Sequence, residues 1–398
     1  MQDMNLTGKS SDITMERMMN KWTDIQALCP INGKTPDYQA CLDAFPALEY
    51  AKLTPQDPRY HGEGDVFTHT VMVVEELLSL PQYQTLDREH QITVFLAALL
   101  HDIAKYSTTV IDPDSGRISQ PGHSKRGSVD ARISLWDLGV PFEIREAICR
   151  LIAVHQVPFF ALEGSRSGKT PEFLVRKLSW ELDVRLLALL AEADMRGRIC
   201  PDKQGVIDNI ELFREIARDE NCFDRPYVFV DAHTRLSYFR GADVHPHYPL
   251  FQEPGSKVTV MCGLPASGKN TWVELNRKNL PVVSFDDSRE ELGLRHGKAE
   301  GVVAHHATDR AKALLRDHAP FVWNATHLSQ QMRDKTLNLL YAYGAEVNLV
   351  YLEQPRTELL KRNSKRDSTL TNKRLESMVL RWEIPTPTEA HSVSYEVQ

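Results

Sequence analysis

The sequence predicts a multidomain protein in which an all-α front half is followed by an α/β half built on a parallel sheet. Its 398 residues are enough for two or three domains of ordinary size, and 42% of them are apolar. Apolar residues recur at helical spacing in the front half, whereas short β-branched runs alternate with helical stretches in the back half. Strands separated by helices indicate βαβ units and therefore a parallel sheet covered on both faces.

The change of pattern divides the chain into three segments. We expect a helical domain over residues 1–222, a connector over residues 223–255 and an α/β domain over residues 256–398. Prolines and aromatic residues interrupt the connector, which is expected to contain a strand or two. Helices are predicted around residues 90–106, 142–155 and 184–198. Strands are predicted at residues 258–262, 282–285, 321–323 and 346–352.

Composition excludes several classes of protein. The longest apolar runs fall far short of the roughly 18 residues that a membrane span needs, and the N-terminus lacks the apolar core of a signal peptide. The six cysteines show no CxxC spacing, which favours reduced thiols. We therefore expect a cytoplasmic protein with no membrane partner. Up to Gly255 there are 27 Lys and Arg residues against 37 Asp and Glu residues, and beyond Gly255 there are 20 against 17. The acidic front half therefore suits multivalent cations, and the slightly basic back half suits phosphates.

The segment Gly-Leu-Pro-Ala-Ser-Gly-Lys, from Gly263 to Lys269, has the pattern of a phosphate-binding loop. It lies between a predicted strand and a predicted helix, which is the context that this chemistry requires. The glycines, including Gly268, let backbone N–H groups surround phosphates next to Ser267, the helix N-terminus adds positive potential, and Lys269 reaches the terminal phosphates. The loop therefore predicts binding of ATP, or another nucleoside triphosphate donor, together with Mg²⁺.

One position of the loop departs from the usual pattern. The residue after the lysine is normally Ser or Thr, whose hydroxyl binds Mg²⁺, but Asn270 stands there and is followed by Thr271. An amide oxygen can also bind a hard cation. Both residues are therefore candidates for the nucleotide site, and the role of Asn270 stays open.

Polar side chains are expected at the carboxyl ends of the next two strands, which line the ligand crevice of an open α/β sheet. Asp286 is placed to accept the proton of an attacking hydroxyl group, and Arg289 to hold a phosphate. Asp287 is expected to cap the following helix. Asn324 ends the third strand at the same edge of the sheet.

Four cations lie within the six residues 361–366, after the last predicted strand. Such a charge run is usually a solvated helix face. Nucleoside-triphosphate kinases, however, carry a mobile lid at this place, and an arginine of the lid neutralises the phosphoryl group in transfer. Composition alone does not decide between the two interpretations.

From Val258 to about Glu389 the chain resembles the 5′-hydroxyl polynucleotide kinase family of P-loop phosphotransferases. The phosphate-binding loop, the pair Asp286 and Arg289, and the cationic cluster follow one another in that family's order. The resemblance implies that Lys269 binds ATP phosphates, that Asp286 is the general base and that Arg289 holds the acceptor's phosphate.

The same resemblance makes Arg362 and Arg366 lid residues, of which Arg366 is the better catalytic candidate. The family often has Asp where Asn324 stands, so Asn324 would hold the acceptor strand through neutral hydrogen bonds. Because the lid motif is short, a small-molecule kinase with the same fold stays an alternative.

Four histidines and two aspartates of the front half have the residue types of a site for two divalent ions. His101 and Asp102 end a strongly apolar helix, and Lys105 is expected on the same helix face as His101. The other candidate ligands are His69, His123, His155 and Asp194. Imidazole and carboxylate ligands suit Mn²⁺, Fe²⁺, Co²⁺ or Ni²⁺, and Asp102 is the candidate bridge between two ions.

This order of residues resembles the HD phosphohydrolase superfamily over about residues 60–198. The segments Gly-Asp-Val-Phe-Thr-His and Ala-Asp-x-x-Gly-Arg are most similar to the HD modules attached to tRNA nucleotidyltransferases. The resemblance implies that Lys105 lies near the scissile phosphate. It implies one ion on His69, His101, Asp102 and Asp194, and a second on Asp102, His123 and His155. A site with one ion on the first set is the alternative.

Over nearly the whole chain, the combination resembles the bacterial HD-domain/polynucleotide-kinase fusions that heal RNA ends. The resemblance implies 2′,3′-cyclic phosphodiesterase and 2′(3′)-phosphatase activity at one RNA end and ATP-dependent phosphorylation of the 5′-hydroxyl at the other. A separate RNA ligase would join the healed ends. One alternative is an HD nucleotidase fused to a nucleoside or other small-molecule kinase. Another is an ATP-gated RNA-binding module with an inert HD site.

Overall fold

The computed structural model of the chain describes residues 21–31, 34–160, 169–253, 255–295, 297, 299–365 and 370–398. The chain divides into two compact units, Met1–Tyr227 and Val228–Gln398. The first unit is helical and the second is built on a parallel sheet. This confirms the predicted succession of a helical region and an α/β domain. The boundary lies within the segment that the sequence marks as a connector.

The described part of the first unit consists mainly of helices. They are α1 (21–28), α2 (Tyr38–Ala44), α3 (Leu48–Ala51), α4 (Val66–Ser79), α5 (Pro81–Gln84), α6 (Arg88–Leu100), α7 (Lys105–Thr108), α8 (His123–Asp137), α9 (Phe142–Val154), α10 (Pro171–Leu178), α11 (Val184–Arg196) and α12 (Lys203–Asp219). A single 3-10 turn spans Val157–Phe160, and β1 (Val110–Ile111) pairs with β2 (Ile118–Ser119) in an antiparallel hairpin.

Helix α6 forms the centre of this unit. Its residues from Ile92 to Leu100 are all buried, and α4, α9 and α11 pack against it. The side chains of Asp65 and Asp87 accept backbone N–H groups at the starts of α4 and α6, which fixes where these helices begin. The arrangement brings the ends of several helices to one place at the end of α6.

The helix predicted through residue 106 in fact ends at Leu100. The backbone N–H of Ile103 donates to the oxygen of Leu100, and that of Lys105 to the oxygen of Asp102. These bonds span three residues and tighten the chain into a turn. Lys105 therefore begins the separate helix α7, and the expectation that it shares a helix face with His101 is wrong.

The second unit begins with a helix and continues as a βα domain. Its elements are α13 (Ala232–Phe239), β3 (Lys257–Cys262), α14 (Lys269–Asn276), β4 (Val282–Ser284), α15 (Phe285–Glu291), α16 (Glu300–Arg316), β5 (Phe321–Asn324), α17 (Gln330–Ala342), β6 (Glu346–Glu353), α18 (Arg356–Ser364), α19 (Asn372–Val379) and β7 (Ser392–Val397). Among the described residues, the order β4-β5-β3-β6-β7 forms one sheet with parallel neighbours.

Four strands lie where the sequence predicts them, within about two residues. β7 was not predicted, because it is a half-exposed edge strand whose residues Ser392, Ser394 and Glu396 interrupt the apolar pattern. The connector contains α13, capped by Asp231, instead of the expected strands. No described helix is long and apolar enough to cross a membrane. The six cysteines, all within the described ranges, are free.

Candidate functional site

The six candidate metal ligands come together in the first unit. His69 lies on α4, His101 and Asp102 follow α6, His123 begins α8, His155 follows α9, and Asp194 lies on α11. All six side chains are buried. Three groups of them have ligand atoms within 4.8 Å of one another: His69 with His101 and Asp102, His101 with His155 and Asp194, and Asp102 with His123 and His155.

Three of these histidines are held in the same way by the backbone. The Nδ1 atom of each lies 2.8 Å from the carbonyl oxygen three residues earlier. The pairs are His101 with Ala98, His123 with Gln120, and His155 with Ile152. A carbonyl oxygen only accepts, so Nδ1 carries the proton and donates, which leaves the lone pair on Nε2. Metal-binding histidines are usually oriented by such a bond.

On His69, Nδ1 faces a carboxylate instead of a backbone carbonyl. Its Nδ1 lies 2.9 Å from Oε1 of Glu63, and its Nε2 lies 3.1 Å from Oδ1 of Asp194. Glu63 Oε1 also lies 2.8 Å from Nδ1 of His61, while Glu63 Oε2 accepts the backbone N–H of Ile199 at 2.8 Å. Burial alone would raise the pKa of Glu63, but the bonds from His61, His69 and Ile199 hold that pKa far below its usual range.

Sequence reasoning missed Glu63 and His61. The two residues lie in the segment before α4, and no spacing motif connects a carboxylate with a histidine six residues later. The one available signal was chemical, because a histidine and a glutamate stand close to a candidate ligand. His61 and Glu63 form a further group with His69, whose ligand atoms also lie within 4.8 Å of one another.

Asp102 lies at the centre of the cluster. Its Oδ2 is 3.1 Å from His101 Nε2 and 2.8 Å from Lys105 Nζ, while its Oδ1 is 3.4 Å from His123 Nε2. Burial raises its pKa, but the neighbouring His101 and the ammonium group of Lys105 outweigh burial and hold the pKa well below the usual value. The two oxygens face different histidines, so this carboxylate would be able to contact two ions.

The charges of the cluster are balanced by buried partners. Arg198 binds both oxygens of Asp194 at 2.9 Å, and this guanidinium overcomes the effect of burial to hold the pKa of Asp194 well below its usual value. Burial and the neighbouring His101 lower the pKa of His155 to about 3. A neutral imidazole with a free Nε2 is the form that binds metals.

The cluster fits divalent ions. The buried Nε2 atoms of His101 and His155 make no hydrogen bond, and the lone pair of His101 Nε2 faces a carboxylate oxygen of Asp102 at 3.1 Å. Such groups are costly in a folded protein unless something binds them. Two groups of three ligands share Asp102, so the donor set suits one ion or a bridged pair of Mn²⁺, Fe²⁺, Co²⁺ or Ni²⁺.

Lys105 belongs to the same cluster. Its ammonium group is 2% exposed and lies 2.8 Å from Asp102 Oδ2 and 2.6 Å from Oε1 of Gln56. Gln56 is therefore a further polar neighbour that the sequence did not single out. The lysine holds a candidate ligand and also places a positive charge beside it.

The phosphate-binding loop of the second unit follows the central strand β3. Gly263 has φ 141°, and a Cβ atom there would overlap the carbonyl oxygen of Leu352, so only glycine fits. Gly268, with φ 103°, stands immediately before α14. Lys269 lies over the loop, with Nζ 2.9 Å from the oxygen of Gly263 and 2.8 Å from that of Leu264. This conformation places backbone amides and an ammonium group around one concave loop.

Other candidate residues of the nucleotide site approach this loop. Ser267 is buried, and its hydroxyl makes no hydrogen bond. Asn270 accepts a 2.9 Å hydrogen bond from the side chain of Asn324, which links α14 to the end of β5. Thr271 is exposed at the start of α14. Nη1 of Arg362 is 3.8 Å from the position that a Cβ on Gly268 would take.

Asp286 and Arg289 are close together but differ from expectation in their surroundings. β4 ends at Ser284, and Asp286 lies in the first turn of α15, where its side chain is 83% exposed. Arg289 binds Asp286 Oδ1 at 2.7 Å and Glu300 Oε2 at 3.0 Å. Ser284 caps α15 by accepting the N–H of Asp287, so the capping role expected for Asp287 is wrong.

Part of the predicted lid falls within the described residues. Arg362 lies on α18, which ends at Ser364, and its Nε donates to Glu358 at 2.8 Å. Arg366 lies outside the described residues. The structure therefore brings Arg362 to the phosphate-binding loop and leaves the role expected for Arg366 a prediction.

The second unit matches a known family. The family model of the AAA domain covers residues 258–385, which include the phosphate-binding loop and Arg362. Solved structures that resemble the chain include a sugar kinase from Janibacter, with a TM-score of 0.28 and 18% sequence identity. The match covers 36% of this chain and 85% of the sugar kinase. A gluconokinase from Sinorhizobium meliloti has TM-score 0.26 and 16% identity, with 37% and 84% covered. TM-scores this low do not define a shared function.

Curated relatives of the chain include multifunctional CCA proteins and a CC-adding tRNA nucleotidyltransferase. A multifunctional CCA protein of Pasteurella multocida is 28% identical over 207 residues, which are 50% of this chain and 46% of the relative. That of Hahella chejuensis is 30% identical over 210 residues, with 50% and 45% covered. A CC-adding tRNA nucleotidyltransferase of Thermus thermophilus is 37% identical over 87 residues, 22% of this chain and 19% of the relative. The chain spans about half the length of these multifunctional CCA proteins. The match to the AAA domain lies in its second unit.

Proposed function

We propose that the protein is a bifunctional enzyme that heals broken RNA ends. The first unit would remove 2′,3′-cyclic and terminal phosphates, and the second would phosphorylate the 5′-hydroxyl with ATP. The observation that carries the proposal is the buried cluster in which backbone carbonyls and Glu63 orient four imidazoles toward Asp102 and Asp194. Similarity to CCA proteins supports a substrate made of RNA.

In the first unit, the imidazoles and carboxylates would hold one or two divalent ions. Ions bound there would supply an activated water and offset the negative charge of the phosphate. The ligand sets are His69, His101, Asp102 and Asp194 for one ion, and Asp102, His123 and His155 for the other. Lys105 would keep Asp102 in place and add positive charge beside the phosphate. One water opens the cyclic diester to a monoester, and a second releases phosphate and leaves the 2′,3′-diol.

In the second unit, the loop amides and Lys269 would bind the ATP phosphates, with Asn270 and Thr271 beside Mg²⁺. Asp286 would accept the proton of the 5′-hydroxyl while the hydroxyl oxygen attacks the γ-phosphorus of ATP and ADP leaves. Arg289 and Asn324 would position the acceptor strand. Arg362 and Arg366 would neutralise charge on the transferred group.

The two activities complement each other chemically. Broken RNA commonly carries a 2′,3′-cyclic phosphate at one end and a 5′-hydroxyl at the other. A ligase that joins a 3′-hydroxyl to a 5′-phosphate accepts neither. After both reactions, the two ends are substrates for a separate RNA ligase.

One experiment tests both halves. The full-length protein is incubated with Mn²⁺, Mg²⁺, ATP and an RNA oligonucleotide that carries a 5′-hydroxyl and a 2′,3′-cyclic phosphate. We expect Asp102→Asn to lose the reaction at the 3′ end alone, and Asp286→Asn that at the 5′ end alone. The exposed Asp114 and Asp317, replaced by Asn, are matched controls in the two units.

The outcome also separates the alternatives. If free nucleotides are consumed while neither RNA end changes, the chain is a nucleotidase fused to a small-molecule kinase. If RNA binds and no bond is made or broken, it is a binding module.

A further inference from the structure

Two tyrosines on the surface of the first unit stack on each other. Tyr50 lies on α3 and Tyr106 on α7, with ring centroids 5.0 Å apart and 22° between the ring planes. The residues are 57% and 42% exposed. We refer to this pair as the tyrosine platform. Single exposed aromatic residues need no explanation, but two that stack while both remain exposed offer ring surface to a flat ligand.

Tyr106 is directly connected to the candidate metal cluster. It follows Lys105, whose ammonium group contacts Asp102 at 2.8 Å. Consecutive Cα atoms are about 3.8 Å apart. The chain therefore passes from a buried lysine at the cluster to an exposed ring within one residue.

Tyr50 is connected to the same cluster from the other side. The hydroxyl of Thr54 donates to the carbonyl oxygen of Tyr50 at 2.7 Å, and the backbone oxygen of Thr54 accepts the N–H of Val66, the first residue of α4. Helix α4 carries His69. Between these points, Gln56 accepts a hydrogen bond from Lys105. The platform thus rests on the same segments that hold the cluster.

The burial of the candidate metal cluster bears on which part of an RNA strand would contact the tyrosine platform. The cluster is buried, so a strand that reaches it would place its terminal phosphate there and leave the neighbouring bases outside. Acidic residues outnumber basic ones up to Gly255, 37 against 27, so general attraction for the RNA backbone is weak there. Aromatic faces bind nucleobases without requiring such charge.

We propose that Tyr50 and Tyr106 stack with the bases at the 3′ end of single-stranded RNA and thereby deliver its terminal phosphate to the metal cluster. The proposal rests on the hydrolase function proposed above. It assigns the substrate class to strands with unpaired 3′ ends, since bases inside a duplex are stacked on both faces and cannot stack on a side chain.

The test compares two substrates with the full-length protein. One is a single-stranded oligonucleotide with a 2′,3′-cyclic phosphate, and the other is the same strand with its last two bases removed. Loss of an aromatic stacking partner typically weakens binding about 5- to 100-fold per base. We expect Tyr50→Ala and Tyr106→Ala to raise KM by such a factor for the intact strand, to leave kcat nearly unchanged, and to have little effect with the abasic strand.

Conservative variants separate stacking from packing. Tyr106→Phe keeps the ring and should behave like the wild type, whereas Tyr106→Leu keeps apolar bulk without the ring and should behave like Tyr106→Ala. Tyr248→Ala, at a tyrosine of the second unit that is 68% exposed, is the matched control. Equal KM values of the alanine variants and the wild type on the intact strand would overturn the proposal. Full rescue by leucine would overturn it too, because apolar packing and not base stacking would then set KM.

Direct binding distinguishes failure of this proposal from failure of the hydrolase. Anisotropy of a 5′-labelled oligonucleotide reports binding without turnover. Suppose that the wild-type protein binds the strand, that the alanine variants bind it more weakly and that no 3′ end is processed. The hydrolase and the delivery of the phosphate are then refuted, and base stacking on the platform stands. If 3′ ends are processed and binding is the same in all variants, the platform is refuted and the hydrolase stands.

Discussion

Replacing Glu63 with glutamine tests how the candidate metal cluster is held together. Oε1 of Glu63 faces the Nδ1 atoms of both His61 and His69, and Oε2 accepts the N–H of Ile199. Glutamine has nearly the same shape but only one oxygen. If that oxygen takes the place of Oε1, the amide NH₂ faces the N–H of Ile199. If it takes the other place, both histidines lose their acceptor.

The expected loss follows from this mismatch. A buried donor left without a partner costs about 1–3 kcal/mol. Removal of a group that orients a metal-binding histidine typically weakens metal affinity about 10- to 100-fold. We therefore expect Glu63→Gln to raise the Kd for Mn²⁺ by such a factor, because the ring of His69 is no longer fixed with its lone pair toward Asp102 and Asp194.

The measurement is titration of the metal-free protein with Mn²⁺ by calorimetry, together with thermal unfolding in the absence of metal. Glu143→Gln is the matched control, since Glu143 is exposed on α9 in the same unit. An unchanged Mn²⁺ affinity in a folded Glu63→Gln protein would show that the bond to Glu63 does not prepare His69 for metal. Loss of affinity in Glu143→Gln would show that net charge, not orientation, sets the affinity.

Three further changes have defined outcomes. Gly263→Ala should abolish binding of a fluorescent ATP analogue, because the new Cβ overlaps the oxygen of Leu352; normal binding would contradict the loop geometry. Glu146→Gln should lower the free energy of unfolding in urea by about 3–5 kcal/mol, because it leaves two buried arginines without their carboxylate; a loss below about 1 kcal/mol would contradict this. Burial lowers the pKa of His327 to about 4. In the unfolded chain this histidine is protonated below about pH 6.5, whereas in the folded chain it stays neutral down to about pH 4. The free energy of unfolding should therefore fall as the pH drops across this window. His327→Asn should reduce that dependence, as measured by urea unfolding between pH 7 and 4.5; an identical slope would assign the effect to other groups.

Much of the second unit could be predicted because its signals are local. Strands β3, β5 and β6 are mostly apolar and mostly buried, as expected for strands that are covered on both faces. The phosphate-binding loop is one contiguous segment. β7 lacks this pattern because its side chains are largely exposed, so its existence depends on pairing with β6 and not on its own composition.

The six candidate ligands of the first unit could be proposed from sequence because few other chemistries need four histidines and two aspartates. Their supporting contacts could not be predicted. The bond between Glu63 and His69 depends on how a loop folds back before α4, and the stack of Tyr50 on Tyr106 joins residues that are distant in sequence. Neither contact follows from spacing, because each is set by the packing of separate helices.

The two candidate sites differ in how far they are prepared for their ligands. In the first unit, the lone pairs of His101 and His155 are already directed at the cluster, so little reorganisation has to accompany metal binding. On the acceptor side of the second unit, Arg289 is occupied by Asp286 and Glu300. A phosphate that binds Nη1 of Arg289 in the place of Asp286 has to displace that carboxylate. If the acceptor's phosphate displaces Asp286, binding of the strand would also free this candidate base to approach the 5′-hydroxyl. Acceptor binding would then be coupled to catalysis, because Asp286 stays paired with Arg289 when no acceptor is present.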